Sequence, residues 1–572
     1  MKHIRHTLLR ALCLCLCLLL AAGSVPALAD DYRVNLYQPD TAIAAAPIIM
    51  QAVDASHAAY TSDTARPSAL IATVRLDDTG ALTVYDRETA VGPFDALYSA
   101  NRSVTNLGLR ISDGDAAAAL AAYVKEHSLN NLWLIAADPT LIEAVRAVSP
   151  QVRGIVDITS GIPDMRTLYD LVFGHQLRSV MISAADATSA NVRLLQEYDY
   201  MVCVEADGDT DAIDAYNLIV SGANAVLTSD SALLLDTLEA FDDYTLTRGA
   251  TIVGHRGEYT YPNNSLPAFI HAAESGAQSV ELDTWLTKDG YVVLSHDDNM
   301  SDTQQVADGE RDRRLTIAKW EGTIDQLTFA GTPYHYITLD QLFEATAERY
   351  PHLIYRIEIK DYRPKNVKAV MALIEEYDLR ERCQIICFED AVTTMARKQG
   401  YAVQYLSSPG NYRGTNDLPG VMSKLEAIYR PLNSWWVSTW SNIDVPLMEY
   451  MQHYGLAAQP WPTPTENELH GHFIEGYNGL TTDYCHWTND YVKYVWAEAD
   501  ENGSVTVMAQ LYDGSVKDMT AWAELLVLDG SVAVSGMTAR GPGTIAARVR
   551  ITLPTTWEQN WYYVHTPAIR IN

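Results

Sequence analysis

The chain has 572 residues, 48% of them hydrophobic and 20% charged, a balance that fits a globular protein and excludes a disordered one. That length exceeds one ordinary domain and predicts about two to four, each large enough to bury its own core. A formal net charge of −31 with no long Lys/Arg cluster excludes nucleic acid as a partner, because that binding rests on many cationic contacts to phosphate.

Residues 1–29 read as a secretion signal. Lys2, Arg5 and Arg10 precede an apolar run over 11–22, and Ala27-Leu28-Ala29 supplies a small-residue cleavage site. The run is shorter than the roughly 20 residues a bilayer span needs, and no later stretch is long and apolar enough, so no stable membrane span is expected. The expected location is secreted or extracytoplasmic, in a bacterium. Cys13, Cys15 and Cys17 lie in the signal. Cys383 and Cys387 share a predicted strand about 13 Å apart, too far to bridge. With Cys203 and Cys485 they match no zinc spacing, so buried free thiols are expected.

Residues 30–245 begin without a motif. From about residue 69 a strand, a turn at Gly80 and a second strand run to Asp86. The same shape recurs over 280–297. Counting from the turn glycine puts Ile71 and Thr73 where Glu281 and Asp283 stand, and Tyr85 for His296 after one deletion. A second echo links 134–145 with 385–396, and a third links 222–230 with 476–483. Three echoes in one order make 30–245 a degenerate copy of the domain behind it. The copy lacks the paired carboxylates, which leaves it a structural, docking or binding role.

Residues 246–490 hold the chemistry. An apolar strand at Val253 leads into His255-Arg256-Gly257, and 266–276 has helical spacing that ends on glycine. Over 280–286 the residues alternate, so Glu281 and Asp283 share a face. A Lys288-Asp289-Gly290 turn and an apolar strand then deliver His296-Asp297. Residues 354–360 alternate as well, with Arg356, Glu358 and Lys360 on one face. Charges facing inward on a barrel strand need compensation, which a metal and a phosphate would supply. Histidines and carboxylates at the ends of successive strands match the catalytic face of a (β/α)8 barrel.

These motifs, with Ile337-Thr338-Leu339-Asp340-Gln341-Leu342 and Gly479-Leu480-Thr481-Thr482-Asp483-Tyr484, occur in order over about 251–484. Together they resemble the glycerophosphodiester phosphodiesterase family. The resemblance implies an α/β fold, a (β/α)8 TIM barrel, and hydrolysis of glycerophosphodiesters to glycerol 3-phosphate and an alcohol. It implies a divalent cation on Glu281, Asp283 and Glu358, hard oxygen donors that suit Ca²⁺ or Mg²⁺ rather than zinc. His255 and His296 would act as acid and base, and Arg256 and Lys360 would face the phosphate. Trp461 falls near the family's late tryptophan and is expected as a pocket wall. Direct attack by water and attack by the glycerol 2-hydroxyl through a cyclic phosphate are both open. The family's Pro-Glu-Asn-Thr is here Pro262-Asn263-Asn264-Ser265, and the loss of the glutamate bears on rate or metal preference. The polar loop over 299–337 is where a family insertion covers the site.

Residues 491–572 alternate in short runs between Asp-Gly and Gly-Pro-Gly turns, which predicts a small all-β, Ig-like module. Its aromatic residues read as core or interface packing. The expected partner of the whole chain is a small-molecule glycerophosphodiester. An envelope glycerol-phosphate polymer of teichoic-acid type, or a non-enzymatic envelope-binding role, is the alternative.

Overall fold

The computed structural model describes residues 43–54, 66–299, 314–329 and 331–572. The predicted signal at 1–29 and most of the arginine-rich part of the polar loop lie outside them. No helix among the described residues is long and apolar enough to cross a membrane.

The first ten strands are β1 (Ile48–Ala52), β2 (Ala69–Leu76), β3 (Leu82–Asp86), β4 (Thr89–Pro93), β5 (Asn106–Arg110), β6 (Leu132–Ala136), β7 (Arg153–Asp157), β8 (Ser179–Ser183), β9 (Met201–Glu205) and β10 (Ala225–Thr228). β1 pairs in parallel with both β2 and β10, so eight parallel strands close into a barrel. β3 and β4 form an antiparallel flap on β2. Strands such as LWLIA in β6 and SVMIS in β8 are near-continuous apolar runs, because helices cover one face and the barrel interior covers the other. Successive residues alternate between the two layers. Leu132 and Leu134 belong to the outer core, whereas Trp133 and Ile135 belong to an inner one with Met50, Ile71, Met181 and Met201.

The second barrel comprises β11 (Thr251–Gly254), β12 (Ser279–Leu286), β13 (Val292–Leu294), β14 (Ile354–Ile359), β15 (Cys383–Cys387), β16 (Ala402–Tyr405) and β17 (Gly479–Thr482). Six run parallel in the order β16-β15-β14-β12-β11-β17, and β13 lies antiparallel on β12. Two further segments fill the ring through parallel bridges, Trp436 to Ala458, Thr439 to Trp461 and Thr463 to Thr482. At the remaining seam, the Tyr405 amide donates to Ser434 Oγ at 2.8 Å. Cys203, Cys383, Cys387 and Cys485 are free and buried.

The barrels meet base to base, through the N-terminal ends of their strands. The turn before β9 carries Asp199 into the base of the second barrel, where it meets Arg356 and Gln404. In return, the turn at His453–Gly455 enters the base of the first. Asn106 donates to the His453 carbonyl, and a Cβ on Gly455 would lie 2.2 Å from the Trp133 ring. Asp199 and Gly455 both have φ +64°. Between them, Arg178 donates to the Asn433 carbonyl and Asn433 donates to the Leu177 carbonyl. The contacts approximate an exchange between the halves of a two-fold dimer.

The C-terminal module is antiparallel throughout: a three-stranded sheet over 492–518, a four-stranded sheet over 523–571 and a short hairpin. Gly471 leaves room for the Trp557 ring, which a Cβ would approach to 2.3 Å. Tyr512 packs on Phe473 and hydrogen-bonds the Ala250 carbonyl, which ties the module to the second barrel.

Candidate active site

The site lies at the C-terminal ends of the second barrel's strands. β11 stops at Gly254 and hands the chain to His255 and Arg256. The loop then turns sharply, with Arg256 at φ +55° and Gly257 at φ +93°. A Cβ on Gly257 would sit 2.7 Å from the backbone of Ala268, so only glycine lets this loop lie on the helix Leu266–Glu274. The tight turn aims the Arg256 amide at Glu281 Oε2, 2.9 Å away. Asn264, also left-handed at φ +60°, grips Asp283 twice: its Nδ2 donates to Oδ2 at 2.9 Å, and its Oδ1 accepts from the Asp283 amide.

Parallel register brings Glu281 beside Arg356 and Asp283 beside Glu358. Glu281, Asp283 and Glu358 are all buried, and their ligand atoms lie within 4.8 Å of one another. Glu281 Oε1 accepts no hydrogen bond. Asp283 Oδ1 and Glu358 Oε1 meet the Lys360 ammonium at 3.3 and 2.7 Å, and Arg256 Nε lies 3.3 Å from Asp283 Oδ2. Three buried carboxylates against two side-chain cations leave a negative balance, so the residues fit a divalent cation.

The charges perturb one another strongly. Burial, then repulsion from Asp283 and Glu358, holds the Glu281 carboxyl well above the usual carboxylate range. Burial and the Asp283 charge push Glu358 up to about 7, against the pull of Lys360. Burial also acts on Asp283, but Lys360, Arg256 and His296 outweigh it and hold that carboxyl low. Lys360 is raised despite its burial, through Asp283 and Glu358.

His255 Nδ1 lies 2.6 Å from Asp483 Oδ1, just past the end of β17, and His296 Nδ1 lies 2.9 Å from Asp297 Oδ1. Burial lowers the His296 pKa below 6.5, so its ring is mainly neutral at pH 7. A cleft of about 110 Å³ opens above Glu281 and Glu358, and His255, Arg256, His296, Lys360, Phe388 and Trp461 also line it. Trp461 Nε1 has no acceptor, and its ring stands edge-on to Phe388 at 6.0 Å.

All eight side chains expected from the sequence are brought together here. Asp483, Asn264 and Phe388 were not singled out, although Asp483 ends the motif Thr481-Thr482-Asp483. Glu258 was also missed. It is fully buried and holds His486 at 2.9 Å and His271 at 3.3 Å, which pins the His255 loop to the segment after β17. One expectation is corrected. The inward charge of Arg356 is compensated by Asp199 of the first barrel, not by a metal or phosphate, because its guanidinium turns toward the barrel base.

Residues 255–486 match the profile of the glycerophosphoryl diester phosphodiesterase family. A glycerophosphodiester phosphodiesterase of Caldanaerobacter subterraneus subsp. tengcongensis is 33% identical over 143 residues, which is 24% of this chain and 57% of that protein. One from Bacillus altitudinis is 30% identical over 152 residues, 26% of this chain and 61% of that protein. The chain thus spans about three fifths of the length of these two relatives. A phosphodiesterase of Oleispira antarctica, solved with the product sn-glycerol-3-phosphate, has 18% identity and a TM-score of 0.35, covering 42% of this chain and 94% of its own. The segment from His255 to His486 is therefore similar in sequence to the glycerophosphoryl diester phosphodiesterase family.

Proposed function

We propose that the chain is an exported, cation-dependent glycerophosphodiester phosphodiesterase that releases glycerol 3-phosphate and an alcohol. The observation that carries this reading is the buried triad Glu281, Asp283 and Glu358, flanked by two carboxylate-bound histidines in one cleft. Glu281, Asp283 and Glu358 would hold Ca²⁺ or Mg²⁺, which supplies charge neutralisation at the nonbridging phosphate oxygens. Arg256 and Lys360 add fixed positive charge on the same side of the cleft. Each histidine engages a carboxylate through Nδ1, so each keeps Nε2 for proton exchange with the substrate. His296, with its lowered pKa, suits removal of the nucleophile's proton, and His255 suits protonation of the leaving oxygen. Trp461 and Phe388 form the wall against which the alcohol packs. Export rests on the pattern of residues 1–29.

The test is glycerol 3-phosphate release from glycerophosphocholine by the chain from residue 30 onward, with EDTA, Mg²⁺ or Ca²⁺, beside Glu281→Ala. Cation-dependent release that the variant lacks supports the reading. No release from any glycerophosphodiester offered refutes it.

A further inference from the structure

We propose that the first barrel completes the catalytic pocket of the second, with Asp199 as a positioning residue that holds Arg356 at the pocket floor, away from the carboxylate triad. The inference rests on reading that triad as a cation site.

Arg356 and Glu358 stand two apart on β14, on one face and about 7 Å apart. Arg356 and Gln404 line the cleft beneath Glu281 and Glu358. The guanidinium makes four hydrogen bonds: Nε donates to Ser279 Oγ at 3.3 Å, Nη1 to Gln459 Oε1 at 2.7 Å and Gln404 Oε1 at 3.4 Å, and Nη2 to Asp199 Oδ1 at 3.1 Å. Among the described residues, Asp199 is the one carboxylate paired with Arg356. Asp199 itself is 2% exposed. Its oxygens also accept from Gln404 Nε2 at 2.6 Å and Gln459 Nε2 at 3.0 Å, and Oδ2 lies 3.5 Å from Arg178 Nη1.

A guanidinium that loses its counter-ion in a buried place seeks another. The nearest carboxylates of the second barrel are Glu281, its register partner on β12, and Glu358 on its own strand face, so a released Arg356 would compete with the divalent cation. The arrangement is one-sided. The turn of the second barrel that mirrors Asp199 has Gly455, and the first barrel has Gly108 at the register position of Arg356. The first barrel thus supplies a charge that it does not itself receive.

The test uses the full chain with Asp199→Asn, Arg356→Gln and the double variant, and measures Ca²⁺ binding by calorimetry and thermal unfolding in EDTA. Asp199→Asn should weaken Ca²⁺ about tenfold or more, and the double variant should return to within about threefold of the parent. The single Asp199→Asn variant should also unfold at a lower temperature than the double. Equal Ca²⁺ affinity in Asp199→Asn and the parent, or a double variant as weak as Asp199→Asn, overturns the proposal. If Asp199→Asn does not fold, a folded, Ca²⁺-binding double variant supports it and an unfolded double overturns it. If the parent binds no Ca²⁺, the cation reading of the triad fails separately. The unfolding cycle then decides, and Asp199→Asn as stable as the double overturns the role of Asp199.

Discussion

At the register position that Glu281 fills in the second barrel, the first barrel has Ile71, with Thr73 for Asp283, Arg110 for Glu358 and Ala52 for His255. Both rings share strand order and register over these positions. Where Glu358 helps form the triad, Arg110 is clamped by both oxygens of Glu205 at 2.7 and 2.8 Å, with Asp157 at 3.8 Å. Where Arg356 enters its barrel, Gly108 leaves a space closed by Ile71 and Trp133. A fold can therefore keep its strand order and register while its inward side chains change entirely, because strand pairing is a backbone matter and side-chain chemistry is not. The first interior then gains the packing of an ordinary apolar core.

The largest effect should separate the equivalent pair. Glu358→Ala should lower kcat/KM about 10³-fold or more, whereas Arg110→Ala should leave it within about twofold. Assays of both variants under saturating Mg²⁺ check this, and equal losses would break the division between a catalytic and a degenerate barrel. Next, Trp133→Ala removes the plug at the first barrel's base and should cost about 3 kcal/mol or more in urea unfolding. Its cleavage rate per folded molecule should be unchanged.

A third prediction concerns pH. Glu358, raised to about 7, and Glu281, also held well above the usual carboxylate range, must lose protons to bind a cation. Cation affinity should fall by about tenfold or more, and by up to about 100-fold, per pH unit below 7 as both carboxyls take up protons, measured by Ca²⁺ calorimetry between pH 8 and 6. Without the cation the sign reverses. A Glu358 pKa of about 7 folded against 4.5 unfolded means that the folded chain holds the extra proton. That contribution to stability is complete below pH 4.5 and is lost as the pH rises to about 7. Glu358→Gln should flatten this slope in thermal scans made in EDTA. The smallest effect is Glu205→Gln, which leaves Arg110 with a weaker partner at a half-exposed site. It should cost about 1 kcal/mol in unfolding and nothing in activity.

Much of the site was legible because its parts are local. Alternation alone placed Glu281 with Asp283 and Arg356 with Glu358, and a strand end followed by His-Arg-Gly located His255. Three echoes were enough to see the first barrel as a copy, and counting from the turn glycine gave the Ile71 and Thr73 equivalences that the register bears out. Antiparallel pairing instead sets Tyr85 opposite Thr73, one place from where a deletion put it against His296. The partners of the site were not legible. Asp483 reaches His255 across 228 residues, and Asp199 reaches Arg356 across 157.

By itself the sequence determined which charged residues face into the second barrel, because a strand's period of two and a glycine turn are properties of a few consecutive residues. Only the tertiary structure decided how those charges are balanced. The compensation for Arg356 is a carboxylate on another barrel, and a buried charge is paired by whatever the docking of two surfaces brings to it, which no local pattern encodes.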